Sequence, residues 1–410
     1  MCDTVTLEVY DKNMMEMVYF LTKKQEFMDS IDVAKSYRKN GRKVSDRTLR
    51  RWFTKLEKEC FDYYPYARHE SMGLQPIFVM VVNPVDEGFM QLIPYMDYIT
   101  CCFDKDLKKS FLLRYQIPRD YTKKFDEFWA KAKKEELIED YTIYYVNSPS
   151  YFCSPFHKIL KSDGELDFSN YSSFDNSYFR ELFENNYKNM LKPAMSAHIL
   201  KNPLIVPALL EFYREHYTNR KAWASLKKRL GKNVWKYLKN RRKETDGVGY
   251  YMTQRTIRNL NTVYYKDFFN QTIVFYDPWI RKSISYFLIY KTKSVDKAPE
   301  IFEEMSKRAL VQWVYPMSNH GGFVIYQITN GQMMHEVLRV LRKMDPEAET
   351  QLVLRDPTES AKYFTPAYLK MDYTLFDPET MTWQYDHEKY MKTLDSLITS
   401  RDVIRAKTKA

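Results

Sequence analysis

Cysteine and glycine are scarce in this chain, which has 5 cysteines and 10 glycines among 410 residues. All the cysteines lie in the first half, and no two of them form a Cys-x-x-Cys pair. They are Cys2, Cys60, Cys101, Cys102 and Cys153. This distribution excludes a disulfide framework shared by the whole chain, and it favours reduced thiols. A redox sensor confined to the first half is the alternative.

Long apolar runs and catalytic motifs are missing as well. No apolar stretch approaches the roughly 18 residues of a membrane-spanning helix, and no signal segment begins the chain. There is no G-x-x-x-x-G-K-[S/T] loop, no H-E-x-x-H, no G-x-S-x-G and no His-x-His, and the 7 histidines are scattered. We therefore expect a cytoplasmic protein that avoids membranes, is not an enzyme, and holds no metal or cofactor.

The chain has a single glycine pair, Gly321-Gly322, which follows Asn319-His320 between two predicted strands. A tight hairpin turn at this point needs glycine for backbone reasons. A loop that cradles phosphate is the alternative.

Positive charge is concentrated in two windows, although the formal net charge is only +11. Residues 23–58 contain 12 lysines and arginines against 5 acidic residues, and residues 214–266 contain 15 against 3. The rest of the chain is therefore net acidic. Basic charge confined in this way is typical of surfaces that contact phosphates. A solvated basic face without a partner is the alternative.

The two basic windows belong to an internal repeat. Four segments of the first half return in the same order in the second half, with slightly different spacing, which indicates a duplication with loop insertions. The pairs are Val33–Tyr37 with Val234–Tyr237, Ser45–Arg50 with Thr253–Arg258, Tyr63–Arg68 with Tyr276–Arg281, and Tyr151–Pro155 with Tyr363–Pro366.

In the first copy the repeat contains a predicted helix-turn-helix. Asn40-Gly41 ends one helix, because both residues tolerate left-handed backbone angles. Ser45 is a suitable N-cap for the next helix, which runs to about Cys60. The predicted buried face of that helix consists of Leu49, Phe53, Leu56 and Cys60.

The second copy follows the same plan, with Thr253 as the N-cap after a longer turn that contains Gly247 and Gly249. Its predicted buried face consists of Ile257, Leu260 and Tyr264. In both copies a Tyr-x-Pro-aromatic-x-Arg segment follows the helix. The proline predicts an extended strand there, which is the position of the wing in a winged helix.

The other residues of these two helices are candidates for DNA contact. Arginine binds guanine edges and phosphates, and a recognition helix presents such residues near its N-terminal half. Arg47 and Arg50 have counterparts at Arg255 and Arg258, which favours contact over a role as surface helix formers. The full candidate set is Ser45, Arg47, Arg50, Arg51, Thr54, Lys55, Arg68, Thr253, Arg255, Arg258, Asn259, Thr262 and Arg281.

Beyond each helix-turn-helix the pattern changes to strands and helices in the order βαββαβ, which predicts a ferredoxin-like sandwich. The predicted strands are Pro76–Val82, Ile99–Phe103, Ser110–Ile117 and Asp140–Val146 in the first copy, and Ile284–Lys291, Leu310–Tyr315, Gly322–Ile328 and Glu349–Leu354 in the second. The predicted helices are Asp86–Tyr98, Arg119–Leu137, Val295–Arg308 and Gly331–Met344. An aromatic-rich extension follows each unit, over Tyr151–Lys192 and Tyr363–Leu397, and is expected to pack on the sheet or on the other copy.

The predicted fold class is therefore α+β, with four domains made by tandem duplication. Winged helix-turn-helix domains are expected over residues 1–70 and 196–282. Ferredoxin-like domains with their aromatic extensions are expected over residues 71–195 and 283–410.

The helices at Ser45–Arg50 and Thr253–Arg258, each followed by a βαββαβ unit, resemble the archaeal and bacterial Lrp/AsnC-type transcription regulators. The resemblance covers most of the chain, twice over. It implies sequence-specific binding of double-stranded DNA by a pseudo-dimer on an operator with two half-sites. It also implies a small-molecule effector, whose residues are not carried over, and a homodimer formed through the ferredoxin-like domains.

Two other interpretations stay open. Plasmid-type replication initiators also place two winged helices in one chain, and they act as a pseudo-dimer on repeated DNA sites. A protein-interaction module would instead use the basic hairpins to dock acidic partners such as basal transcription factors. The arginines at the recognition positions favour DNA over this second alternative.

Overall fold

The computed structural model describes residues 44–59, 61–86, 88–103, 108–153, 195–196, 206, 269–276, 283–318, 321–355, 375–377 and 380–409. This part of the chain is built from helices and antiparallel sheets, so the fold class is α+β, as predicted. The predicted helices before residue 44 and nearly all of the second helix-turn-helix, over 196–282, lie outside the described residues. No described helix is both long enough and apolar enough to cross a membrane.

Within its described residues, the first half of the chain forms two α-helices and six strands. In chain order they are α1 (Asp46–Glu59), β1 (Phe61–Ala67), β2 (Leu74–Val82), β3 (Met96–Phe103), β4 (Lys109–Pro118), α2 (Thr122–Lys134), β5 (Asp140–Tyr145) and β6 (Ser150–Cys153).

The second half adds three helices and seven strands within the described residues. They are β7 (Phe269–Tyr276), β8 (Ile284–Lys291), α3 (Ala298–Ser306), β9 (Val311–Met317), β10 (Gly322–Thr329), α4 (Gly331–Met344), β11 (Glu349–Leu354), β12 (Phe376–Asp377), β13 (Thr382–Trp383) and α5 (His387–Lys409). Every strand predicted for the two βαββαβ segments is confirmed, with shifts of a few residues at the ends. The helix over Gly331–Met344 has the predicted bounds.

Two sheets dominate the structure. The first has the strand order β3-β4-β2-β5, and the second has the order β11-β8-β10-β9-β6. In chain order, β8, β9, β10 and β11 occupy the same places in their sheet as β2, β3, β4 and β5 do in the first. The fifth strand, β6, comes from the first half of the chain and pairs antiparallel with β9. The second sheet is therefore completed by the first half.

The predicted helix Asp86–Tyr98 is wrong. Among the described residues of this segment only a short 3-10 turn forms, over Gly88–Gln91, and β3 already begins at Met96. Pro94 accounts for the difference, because proline lacks an amide N–H and its ring clashes with the preceding helical turn. The other two helices are shorter than expected, since each starts with a 3-10 turn, over Arg119–Tyr121 and Val295–Lys297.

The predicted hairpin at Gly321-Gly322 is confirmed. Gly321 has a φ of +61°, which L side chains rarely adopt. A Cβ atom on Gly322 would lie 2.2 Å from the carbonyl oxygen of Tyr290, so β10 and β8 approach too closely there for any side chain. Both glycines are therefore required by the backbone.

The two sheets pack face to face through aromatic side chains. The ring of Phe78 in β2 lies 5.0 Å from the ring of Tyr315 and 6.0 Å from that of Phe287, in edge-to-face arrangements. Phe78 and Phe287 hold equivalent positions, because Phe78 lies four residues before the end of β2 and Phe287 lies four residues before the end of β8. Equivalent residues that contact each other mark the axis of a twofold arrangement.

Contacts at the sheet edges follow the same rule. Val146, directly after β5, bridges to Met317 of β9, and Arg355, directly after β11, bridges to Cys102 of β3. Cys102 pairs with a residue of β4 that in turn pairs with the last residue of β2. Met317 pairs with a residue of β10 that in turn pairs with the last residue of β8, so Cys102 and Met317 hold equivalent positions. The two bridges are therefore reciprocal, and they join the sheets at both edges.

The outer faces of the sheets are covered by helices. In the first sheet, Tyr115 contacts Phe125 and Trp129 of α2, with ring centroids 5.0 and 6.2 Å apart. In the second, Phe302 of α3 lies 4.8 Å from Phe323. Each sheet is thus buried on both faces, which explains why its strands are almost continuously apolar.

The C-terminal segment of the chain crosses to the first sheet. Tyr385, Tyr390 and Leu394 are buried in the same core as α2. The indole N–H of Trp383 donates to the carbonyl oxygen of Met72 at 2.8 Å, and Arg401 donates to the carbonyl oxygen of Glu135. The second aromatic extension therefore packs on the other copy, one of the two placements expected from the sequence.

A buried polar network lies between the sheets. A β-bulge at Asp97 interrupts the register of β3 with β4 and turns the Asp97 carboxylate toward Arg114. The Arg114 guanidinium donates to Asp97 at 2.7 Å and to the Tyr315 hydroxyl of the other sheet at 3.0 Å. The Gln116 amide donates to the second carboxylate oxygen at 2.7 Å. The network therefore ties the sheets together by a charge-assisted contact as well as by apolar packing.

We predict that Asp97→Ala lowers the free energy of unfolding by about 3–5 kcal/mol, because it leaves the Arg114 charge buried without its carboxylate. Urea unfolding of the full chain measures the loss. Lys108→Ala is the control, since it removes an ion pair with Glu139 whose side chains are 41% and 44% exposed. Such a pair contributes less than about 1 kcal/mol. Equal effects of the two substitutions would contradict a structural role for the network.

Candidate nucleic-acid interface

The helix predicted from Ser45 to about Cys60 forms as α1, and it begins where the sequence indicates. Ser45 is its N-cap: the Thr48 amide donates to the Ser45 hydroxyl oxygen at 3.2 Å, and the two hydroxyls are 2.8 Å apart. The Leu49 amide donates to the Ser45 carbonyl oxygen at 3.0 Å. These contacts satisfy amides of the first turn that have no partner within the helix.

One face of α1 docks on the core between the two sheets. Leu49 is 1% exposed and belongs to the same apolar cluster as Phe78 and Met80. Val44 and Trp52 pack against that cluster from either side of Leu49. Leu49 confirms the predicted inward face, whereas the inward position of Trp52 was not predicted. The side chains of Phe53, Leu56 and Cys60 lie outside the described residues.

The opposite face of α1 is basic and open to solvent. Arg47, Arg51 and Thr54 are exposed and fall on one side of the helix by their spacing, with Arg50 exposed beside them. Lys55 is half-buried at the margin of this face. The described candidates of the first helix are therefore brought together on one surface, and the docking of Leu49 and Trp52 holds that surface outward.

The strand that follows α1 pairs with its counterpart from the second copy. β1 and β7 form a two-stranded antiparallel ribbon, in which Asp62 pairs with Phe275. The sequence repeat that aligns Tyr63 with Tyr276 also aligns Asp62 with Phe275. Phe61 pairs with Tyr276, the counterpart of Tyr63. The Asp62–Phe275 pair, at one end of the ribbon, is therefore a third contact between equivalent positions of the two copies.

Arg68 lies apart from the other candidates, half-buried at the end of the ribbon strand. Its positive charge acts on the buried carboxylate of Glu70, which accepts hydrogen bonds from the Ser148 amide and, at 2.5 Å, from the Ser148 hydroxyl. Burial raises the pKa of Glu70 above its ordinary value of 4.5, against these stabilising contacts. The described neighbours of Arg68 thus include an internal acidic group.

The candidate residues of the second copy lie outside the described residues. They are Thr253, Arg255, Arg258, Asn259, Thr262 and Arg281.

Sequence reasoning missed the polar network of Asp97, Arg114 and Gln116. Arg114 interrupts an otherwise apolar strand, and an arginine in such a strand is the signal that could have indicated a buried partner. Nothing in the sequence indicates that the partner comes from a bulge. Within the described part of the chain, no group of three or more His, Cys, Asp or Glu side chains is placed to hold a metal ion.

No family model matches the chain, and no curated protein matches it. Among solved structures the chain is similar to the crystal structure of the siroheme decarboxylase NirDL, with a TM-score of 0.39 and 11% identity over 83% of this chain and 90% of that one. For NirDL in co-complex with an iron-uroporphyrin III analogue, the TM-score is 0.39 and the identity 9%, over 88% and 100% of the chains. For an anthrone oxidase-like protein they are 0.29 and 6%, over 72% and 94%. At such TM-scores the likeness carries no argument about function.

The buried carboxyl of Glu70 predicts a pH effect on stability. The pKa of this carboxyl is raised in the folded state. Its contribution to the free energy of unfolding is therefore fully present below pH 4.5 and is lost as the pH rises through the folded-state pKa. Glutamine cannot titrate, so Glu70→Gln should gain stability relative to the parent protein as the pH rises from 4.5 to the folded-state pKa, and the difference should be constant above it. Urea unfolding between about pH 4 and 8 measures this difference. Glu347→Gln makes the same change at an exposed site and is the control, and a pH-independent difference for Glu70→Gln would contradict the prediction.

Proposed function

We propose that this protein is a sequence-specific, double-stranded DNA-binding transcription regulator of the Lrp/AsnC type, in which a duplicated chain acts as its own dimer. The observation that carries the proposal is α1, capped by Ser45 and docked through Leu49, with Arg47, Arg51 and Thr54 exposed on its outer side. Arginines on an exposed helix face can contact both phosphates and guanine edges. A rigid core behind the helix keeps it in the orientation that groove recognition needs.

Reciprocal contacts between the copies support the pseudo-dimer in this proposal. The Asp62–Phe275 pair of the ribbon and the Phe78–Phe287 contact join equivalent positions, and the two edge bridges are reciprocal between the copies. In a twofold dimer such contacts join two chains, whereas here they join two halves of one. We take the unit β2–β5 and the unit β8–β11, which share one strand order, as ferredoxin-like domains, the first with a 3-10 turn at Gly88–Gln91 in place of its first helix. We take each basic helix with its following strand as a winged helix. The proposal places the protein in the cytoplasm, with its domains at 1–70, 71–195, 196–282 and 283–410.

The two recognition surfaces differ in sequence, and this determines the kind of operator we propose. The first copy presents Arg47, Arg50, Arg51 and Thr54, and the second would present Arg255, Arg258, Asn259 and Thr262. Identical helices read identical half-sites, so unlike helices should read unlike half-sites. Occupancy of such a site near a promoter would then regulate transcription.

The first test of the proposal is the salt dependence of binding to duplex DNA. Because phosphate contacts release counterions, affinity should fall by orders of magnitude between about 50 and 200 mM salt. Arg51→Ala should reduce the slope of log affinity against log salt by about one if Arg51 contacts a phosphate. Lys134→Ala removes the same charge from the exposed side of α2, far along the chain from α1, and should leave the slope unchanged. Affinity that does not vary with salt would rule out DNA binding.

The second test is a footprint of the full chain on its best genomic site. We expect two protected half-sites of unlike sequence, separated by about one helical turn or a multiple of it. Arg47→Ala should cost roughly 1–3 kcal/mol and relax base preference in one half-site, and Arg255→Ala should do so in the other. Equal losses on random and specific DNA would reduce both residues to phosphate contacts. Iterated sites at a replication origin would favour an initiator, and protection of a single half-site would leave the second copy as a scaffold.

A further inference from the structure

The duplicated architecture places a cleft at the same position in both halves of the molecule. In the first half a cleft of about 690 Å³ lies between α2 and the edge strand β5, and in the second a cleft of about 710 Å³ lies between α4 and the edge strand β11. Cavities of this size accept small organic ligands. The two clefts can therefore be compared residue by residue, as an internal control.

Helix residues of the two clefts can be matched by counting how many positions each lies before the first residue of its edge strand. Asp126 then corresponds to His335, Ala130 to Arg339, and Lys133 to Arg342. The first cleft thus presents one acidic and one basic residue at these places, whereas the second presents three residues that are basic or can become so.

Two of the charged side chains that line the first cleft, Lys133 and Asp126, have partners in β5. The Lys133 ammonium lies 2.7 Å from the Asp140 carboxylate, and the Tyr145 hydroxyl donates to Asp126 at 2.5 Å. Both charged side chains at the three corresponding positions, Asp126 and Lys133, therefore contact a residue of β5. A charged ligand would have to displace these contacts in order to bind there.

The second cleft lacks both of these contacts. Leu354 replaces Tyr145, and Glu349, the counterpart of Asp140, lies 3.6 Å from Lys291 instead. Within the described part of the chain, neither His335 nor Arg342 has an ion pair, and Arg339 pairs with the exposed side of its own helix at Glu336. The only acidic side chain that lines this cleft is Asp345, whose carboxylate accepts hydrogen bonds from Tyr290 and Thr292.

The floor of the second cleft is apolar. It is formed by Leu288, which is fully buried, together with the half-buried Leu338 and Leu352. A basic rim above an apolar floor is complementary to a molecule that has a negative group at one end and an apolar body at the other.

We propose that the cleft between α4 and β11 is a binding site for a small organic carboxylate with an apolar body. Arg342 binds the carboxylate, Arg339 and His335 line the same rim, and the apolar body lies over Leu338 and Leu352. The site is independent of the proposed DNA-binding surface, because no residue of α1 lines it.

Isothermal titration calorimetry on the full chain tests this site, with octanoate and indole-3-acetate as probes. We expect at least one probe to bind with one site per chain, and the matched amines, octylamine and tryptamine, to bind at least about tenfold more weakly. Arg342→Ala should weaken carboxylate binding about tenfold or more, since hydrogen bonds to charged groups are strong. Lys133→Ala, the matched change in the first cleft, should leave the affinity unchanged. Leu352→Trp, which fills the floor, should abolish binding while the arginines remain.

Three results would overturn the site. They are the failure of both carboxylates to bind at millimolar concentration, equal binding of the amines, and equal weakening by Arg342→Ala and Lys133→Ala. Thermal unfolding of each variant without ligand shows whether it is folded. If Arg342→Ala is not folded, Arg342→Gln together with Leu352→Trp gives the same comparison.

Discussion

The packing of the two sheets against each other is the interaction on which the rest of the molecule depends. Each sheet is covered by helices on one face only, and its other face carries large apolar side chains such as Phe78 or Phe287 that must be shielded from water. Within the described part of the chain, most of this shield is the other sheet. Helix α1 docks at this same core through Leu49, so the orientation of its arginines depends on the sheets being together.

Elements whose signal is local could be predicted from the sequence. The strands of both sheets are apolar runs bounded by turn residues, Ser45 is a cap next to its helix, and Gly321-Gly322 marks a tight turn. Features that depend on distant parts of the chain could not. The addition of β6 to the second sheet, the bulge that directs Asp97 to Arg114, and the crossing of the C-terminal segment are decided by tertiary packing, which leaves no periodic trace. The helix predicted over Asp86–Tyr98 does not form for a local reason, because Pro94 interrupts the segment.

For the candidate site the same division holds. Spacing alone separated the buried Leu49 from the exposed Arg47 and Arg51, because a helix with one apolar stripe leaves little choice. Spacing could not place Arg68, whose charge acts on the buried Glu70, a carboxylate that is bound by Ser148 from a distant segment. It also could not distinguish the clefts beside α2 and α4. The two clefts differ in whether residues of the neighbouring strand, such as Tyr145 and Asp140, contact the charged side chains of the helix.

The crossing of the C-terminal segment has a consequence for how the chain acquires its structure. The hydrogen bond from Trp383 to Met72 joins residues 311 positions apart, and the C-terminal segment with Leu394 completes a core whose members come mostly from the first half. During synthesis the first sheet therefore emerges long before the segments that cover it. Contacts so distant in sequence are slow to form, and an uncovered apolar sheet is prone to aggregate meanwhile. The early half of this protein should thus depend on chaperones for as long as its last residues are still being made.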